Sequence, residues 1–179
     1  ISIPDSVTSI GRDAFSGCGS LTSVTIPDSV TSIDWSAFSN CNNIKTATIP
    51  AFAIEYIPKS NLQTIVITSG DSIGEGAFSG CSSLTSVTIP DSVTSIGRNA
   101  FSDCSSLTNV YITDIEAWYK IDFSGSNSNP LFYAHNLYVN NELITDLVIP
   151  NSITEIKPYT FHKYDRLTII SIPDSVTSI

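Results

Sequence analysis

The sequence predicts a repeat solenoid, a right-handed β/α superhelix with a parallel sheet on its concave face and short strands and helical turns on its convex face. Three observations carry that prediction. The dipeptide Ile-Pro recurs at Ile3-Pro4, Ile26-Pro27, Ile49-Pro50, Ile89-Pro90, Ile149-Pro150 and Ile172-Pro173, and the steps from 3 to 26, 26 to 49 and 149 to 172 are each 23 residues. A spaced apolar triplet runs into each recurrence. Between them Ala-Phe-x-x-Cys returns at Ala14-Phe15-Cys18, Ala37-Phe38-Cys41, Ala77-Phe78-Cys81 and Ala100-Phe101-Cys104.

The triplet defines seven coils: Leu21-x-x-Val24-x-Ile26, Ile44-x-x-Ala47-x-Ile49, Leu62-x-x-Ile65-x-Ile67, Leu84-x-x-Val87-x-Ile89, Leu107-x-x-Val110-x-Ile112, Ile144-x-x-Leu147-x-Ile149 and Leu167-x-x-Ile170-x-Ile172. A period of roughly 20 to 29 residues with this core is the mark of a leucine-rich repeat. Apolar residues alternate with Ser or Thr, so each triplet forms a short strand with one face inward and residues such as Ser23 and Thr25 outward. The Pro that follows has no N–H and fixes its φ, which ends the strand and turns the chain at Pro-Asp-Ser. Val30 and Ile33, or Val93 and Ile96, then begin the convex half, which continues through Ala-Phe-x-x-Cys. One such coil cannot bury its apolar face alone, so stacking should build a Phe column and a Cys column along the axis.

Two stretches depart from the period. Residues 50–67, PAFAIEYIPKSNLQTIVI, skip the Ala-Phe-x-x-Cys half, so the convex side is expected to be thinner there. Between Leu107 and Ile144 the step lengthens to 37 residues. The surplus reads as an insertion at about 114–142, with an amphipathic helix over 115–121, a loop over 124–130 and a hairpin over 137–143 that turns at Asn140-Asn141. The decapeptide ISIPDSVTSI stands at both 1–10 and 170–179. Atypical capping coils are missing, so residues 1–179 are expected to be a single solenoid segment of a longer array.

Composition narrows the function classes. Eight Lys plus Arg against seventeen Asp plus Glu give a formal charge of -9, with no basic run to neutralise phosphates or anionic lipid. Nucleic acid is therefore not an expected partner. No apolar stretch approaches the ~18 to 20 residues that span a bilayer, and residues 1–10 do not read as a signal peptide.

The unit SIGxxAFSxCxSLTSVTIPDSVT resembles the repeat of the BspA-like, or TpLRR, leucine-rich family, and the resemblance extends over nearly the whole chain. It implies an extracellular protein on the surface of oral or gut bacteria or parasitic protists. Attachment, co-aggregation and binding of host proteins are the implied roles. A secretion signal and an anchor would then lie outside residues 1–179.

Candidate chemistry is sparse. The four Cys share one repeat position and form no C-x-x-C pair, which fits inert thiols in a core column; oxidation of Cys18 with Cys41, or Cys81 with Cys104, stays open. Asp5, Asp28, Asp91, Asp114 and Asp174 follow the strands, either as caps of their own turns or, less in keeping with their Ser and Thr neighbours, as a Ca²⁺ column. His135 and His162 lack the spacing of a triad or a metal site. The expectation is a chain without catalysis, cofactor or metal. Trp118, Tyr119, Phe123, Phe132, Tyr133 and Tyr138 form an aromatic cluster that reads as a satellite core or as an interface. The tentative partner contacts are Tyr111 and Asn109, at outward strand positions, with Trp118, Tyr119 and Tyr133. The function expected is a cell-surface module that binds an extracellular protein or glycan, the alternative being a stalk that displays a distal domain.

Overall fold

The computed structural model describes all residues from 1 to 179. In chain order its elements begin with β1 (Ser9–Ile10), β2 (Ser23–Thr25), β3 (Ser32–Ile33), β4 (Thr46–Ile49), β5 (Thr64–Ile67), β6 (Ser72–Ile73) and β7 (Ser86–Thr88). They continue with β8 (Ser95–Ile96), β9 (Asn109–Ile112), α1 (Ile115–Lys120), β10 (Asp122–Phe123), β11 (Asn136–Val139), β12 (Glu142–Leu143), β13 (Asp146–Val148) and β14 (Ile169–Ser171). Seven strands form the main sheet in the order β12-β11-β9-β7-β5-β4-β2. All its pairs are parallel except β11 with β12. Parallel pairing at constant register is what a coil of fixed period requires, because each strand is returned to the same height by one full turn.

Strands β2, β4, β7, β13 and β14 end at or one residue before Ile-Pro, as expected, while β5, β9 and β11 end without a Pro. Val30 N–H closes a turn on the Pro27 carbonyl at 3.1 Å, and Val93 does the same on Pro90 at 3.1 Å. The helical turns of the convex side are runs of hydrogen bonds three residues apart, such as Ser16 to Asp13 and Cys18 to Phe15. They do not lengthen into helices because Asp13 (φ 55°) and Gly17 (φ 77°) are left-handed, as are Gly76, Gly80, Asn99 and Asp103 in later coils. Gly, Asn and Asp tolerate that conformation best.

The Phe column is present in two stacked pairs, Phe15 with Phe38 at 5.1 Å and Phe78 with Phe101 at 5.2 Å. The gap falls at the short coil. There the 3-10 helix Ala51–Tyr56 stands in place of the convex half, and the convex strands split into the pair β1-β3 and the trio β10-β8-β6. The main sheet runs through unbroken, because the short coil keeps its Leu62-Ile65-Ile67 triplet and β5 pairs with both β4 and β7.

Residues 114–142 do more than decorate the solenoid. β10 joins the convex sheet with Asp122 beside Ser95 and Phe123 beside Ile96, and β11 joins the main sheet in register with all four residues of β9. The stretch expected to be an insertion thus contains a complete coil, with 27 residues separating Asn109 from Asn136 and α1 added on its convex side. The hairpin follows as β11 and β12, turned by Asn140 (φ 51°) and Asn141 (φ 67°), the two left-handed positions of a type I′ turn. β12 occupies the end of the main sheet, so β13 and β14 pair with one another instead.

The interior is continuous from Ile3 to Leu137 and includes Tyr164. A second cluster of Tyr119, Leu147, Ile149, Ile153 and Ile156 underlies the last coils, and Ile115, Phe161 and Leu167 pack against both clusters. Coils are also laced by hydroxyls: Ser29 donates to the Val7 carbonyl at 2.9 Å, Ser92 to Gly70 at 2.7 Å and Thr108 to Thr85 at 3.1 Å. Repeat Ser and Thr residues therefore join successive coils as well as presenting polar surface.

Candidate recognition face on the main sheet

Two outward columns run across the main sheet. One reads Ser23, Thr46, Thr64, Ser86, Asn109, Asn136, and the other Thr25, Thr48, Val66, Thr88, Tyr111, Tyr138. Over the first four strands these side chains are short and uncharged. At β9 and β11 both columns change chemistry together. Asn136 Nδ2 donates to Asn109 Oδ1 at 2.9 Å, and the rings of Tyr111 and Tyr138 stack with centroids 4.8 Å apart and planes 13° apart. All four residues are half-buried. Leu143 lies opposite Tyr138 across the hairpin, 39% exposed, and so ends the tyrosine row on the same face. Asn140 holds the hairpin down by donating from Nδ2 to the Thr113 carbonyl at 3.0 Å.

The expected contact residues divide. Asn109 and Tyr111 are brought together on this face. Trp118 and Tyr119 belong to the interior, 1% and 2% exposed, and cannot meet a partner. They are the last large side chains of α1, whose Asp114 cap accepts from Glu116 N–H at 2.8 Å and aims the helix inward. Trp118 Nε1 donates to the Thr160 carbonyl at 3.0 Å, and Tyr119 meets Phe161 edge-on at 5.5 Å. Burial raises the Tyr119 phenol pKa, and its hydroxyl has no hydrogen-bond partner. Tyr133 sits at the convex turn, where its Oη accepts from Asp103 N–H at 2.9 Å, and Phe132 beside it is covered by His162 and Lys163.

Sequence reasoning overlooked Asn136 and Tyr138 as face residues because the triplet that carries them, Ala134-x-x-Leu137-x-Val139, opens on Ala and closes on Val where the seven recognised triplets have Leu or Ile. It also overlooked Trp35, 77% exposed on the convex side at the repeat position that Arg12 fills one coil earlier. The visible signal is the change from Gly-Arg-Asp-Ala-Phe to Asp-Trp-Ser-Ala-Phe.

Other candidate groups have structural partners. Members of the Asp column differ: Asp114 caps its own turn by accepting from Glu116 N–H at 2.8 Å, whereas Asp91 accepts from Thr113 Oγ1 at 2.7 Å and from Asp114 N–H at 3.1 Å in the next coil, and Asp28 from Thr68 and Ser69, two coils on, at 2.6 and 2.7 Å. No three His, Cys, Asp or Glu side chains converge. Cys41, Cys81 and Cys104 are buried, whereas Cys18 is exposed. His135 pairs with Asp165 at 3.1 Å on the surface.

A family model described as BspA type leucine rich repeat region matches six copies over residues 1–63, 58–138 and 134–179. No curated protein sequence matches. Among solved structures, the chain is similar to the T. pallidum leucine rich repeat protein TpLRR, with 22% identity over 99% of this chain and 72% of that one, TM-score 0.40. It is similar to a leucine-rich repeat protein from Bacteroides ovatus, 22% identical over 99% and 70% of the two chains, TM-score 0.37. A leucine rich cell surface protein from Faecalibacterium prausnitzii is 25% identical over 94% of this chain and 52% of its own, TM-score 0.31.

Proposed function

This chain belongs to the BspA type leucine-rich repeat family, and on that premise we propose that it is a non-enzymatic, surface-displayed module that binds an extracellular protein or glycan through the face of its main sheet. The observation that carries the reading is the paired ladder of Asn109 with Asn136 and Tyr111 with Tyr138. A spacer needs only shape-filling interiors and inert polar exteriors. Half-exposed aromatics and amides held in fixed positions by a rigid sheet are what recognition uses. Attachment outside a cell is in keeping with the family, and no helix of the chain is long and apolar enough to cross a membrane. The polar columns of β2 to β7 favour weak contacts multiplied along the array.

The alternative, a stalk, is favoured by coils as alike as Ser-Val-Thr-Ser-Ile-Gly-Arg-Asp-Ala-Phe and its near copy at 92–101. Binding of the chain to arrayed extracellular-matrix proteins and glycans, compared with the double variant Tyr111→Ala/Tyr138→Ala, separates the two. Specific signal that the variant loses supports recognition; no signal from the parent chain supports the stalk. Substitution is preferable to deletion of 114–142, because deletion removes β10 and β11 from both sheets.

A further inference from the structure

The geometry points to a neutral saccharide as the ligand of this face, seated on the step between Thr88 and Tyr111. The assignment rests on the recognition reading above and gives its ligand a chemical class. The centroid distance of 4.8 Å between Tyr111 and Tyr138 equals the spacing of adjacent strands, and the planes are within 13° of parallel. Rings stacked at that spacing stand across the row like slats. One face of Tyr111 is therefore covered by Tyr138, and the other looks along the row toward Thr88, its direct neighbour on β7. Thr88 is too short to cover a phenol ring. The result is a step: a floor of Ser86 and Thr88 and an upright aromatic wall.

Hydrogen-bonding groups surround that wall. Asn109, beside Ser86 and two residues from Tyr111, accepts from Asn136 at Oδ1 and so keeps its two Nδ2 donors without a protein acceptor. The outward columns contain Ser, Thr, Val, Asn and Tyr and no charged side chain. A pyranose ring matches this arrangement, with an apolar C–H face for the ring of Tyr111 and hydroxyls for the amide of Asn109 and the hydroxyl of Thr88. Anionic sugars are disfavoured by the formal charge of -9 and by Asp91 just beyond the strand. An extended peptide lacks its main asset here, since β12 occupies the sheet end beside β11.

The test is titration calorimetry of the whole chain with cellohexaose, mannohexaose and chitohexaose, and with 3′-sialyllactose as the anionic comparator. Surface binding to laminin and collagen runs in parallel. At least one neutral hexasaccharide should bind; Tyr111→Ala should weaken it tenfold or more, Asn109→Ala severalfold, and Tyr111→Phe, which keeps the ring, less than threefold. Amide resonances of Thr88, Asn109 and Tyr111 should shift with the same isotherm, and thermal midpoints should verify that each variant folds. No neutral binding, preference for the sialylated sugar, or affinity indifferent to Tyr111→Ala overturns the saccharide assignment. If protein binding is then found and lost in Tyr111→Ala, the recognition reading stands with a peptide ligand; if Tyr111→Ala changes nothing that binds, both readings fall.

Discussion

Cys104 Sγ donates to the carbonyl of Phe78 in the preceding coil at 3.2 Å, and Cys41 repeats the contact with Phe15 at 3.0 Å. The thiol column thus satisfies convex carbonyls while filling the interior beside the Phe pairs. Alkylation by iodoacetamide at pH 8 should modify the exposed Cys18 alone in the folded chain, with Cys41, Cys81 and Cys104 reacting only in denaturant. Mass spectrometry of the native digest decides this, and labelling of Cys104 at the rate of Cys18 would mean that the column is open.

The same burial sets an alkaline limit. Desolvation pushes the Cys81 thiol up to about 11 and the Cys104 thiol up to about 12, from an ordinary 9.0. A folded state that holds these protons more tightly than the unfolded chain is fully favoured below the unfolded value. Stability should therefore be flat up to about pH 9 and fall from there toward pH 12. The raised Tyr119 phenol acts in the same direction. Urea midpoints across that range should show a shallower fall for Cys81→Ala/Cys104→Ala; an unchanged slope would place the loss elsewhere.

Where the sequence repeats, structure was legible, and where it departs the reasons are local. The Ile-Pro stops, the Phe pairs, the Asn140-Asn141 hairpin and helix α1 could all be read because each depends on a residue type with one backbone or packing consequence. β11 was hidden because Ala134 and Val139 stand at positions that the recognised coils give to Leu or Ile. Reading an aromatic run as surface or core from types alone cannot succeed: Trp118 and Tyr119 are interior and Tyr111 and Tyr138 are not, and the difference is strand parity against helix face. The hydroxyl rungs between coils were invisible for a similar reason, since a Ser or Thr that faces solvent and one that reaches back 22 or 23 residues look alike.

Asn129 fastens the last coils to the rest. Its Nδ2 donates to the carbonyls of Tyr159 at 2.6 Å and Thr160 at 3.0 Å, its Oδ1 accepts from Leu131 N–H at 2.8 Å, and its side chain is fully buried. β13 and β14 have no hydrogen bonds to the main sheet, so this residue and Trp118 bear much of the junction. Asn129→Ala leaves the buried Leu131 N–H without a partner, while the Tyr159 and Thr160 carbonyls keep the His162 N–H and Trp118 Nε1–H, for a loss of about 2 kcal/mol. Hydrogen exchange should accelerate in 147–171 far more than in β4 and β5. Uniform acceleration along the chain would show that the junction is not a separate weak point.

Two glycines with opposite constraints test the stacking itself. Gly17 has φ 77° and open space where a Cβ would stand, so Gly17→Ala should cost about 1 kcal/mol through the backbone alone and Gly17→Asn, at a position where the next coil has Asn40 (φ 62°), much less. Gly97 needs no left-handed backbone, but a Cβ there would stand 2.5 Å from the Glu75 nitrogen and 2.8 Å from the Gly74 carbon, both backbone atoms of the preceding coil. Gly97→Ala must push coils apart against their hydrogen bonds, a strain of about 2 to 3 kcal/mol, and Gly97→Asn should be no better. Chemical denaturation of the four variants gives the answer. Asn rescuing position 97 as it does 17 would mean that backbone conformation governs both sites, and that the close approach of neighbouring coils does not limit what position 97 can hold.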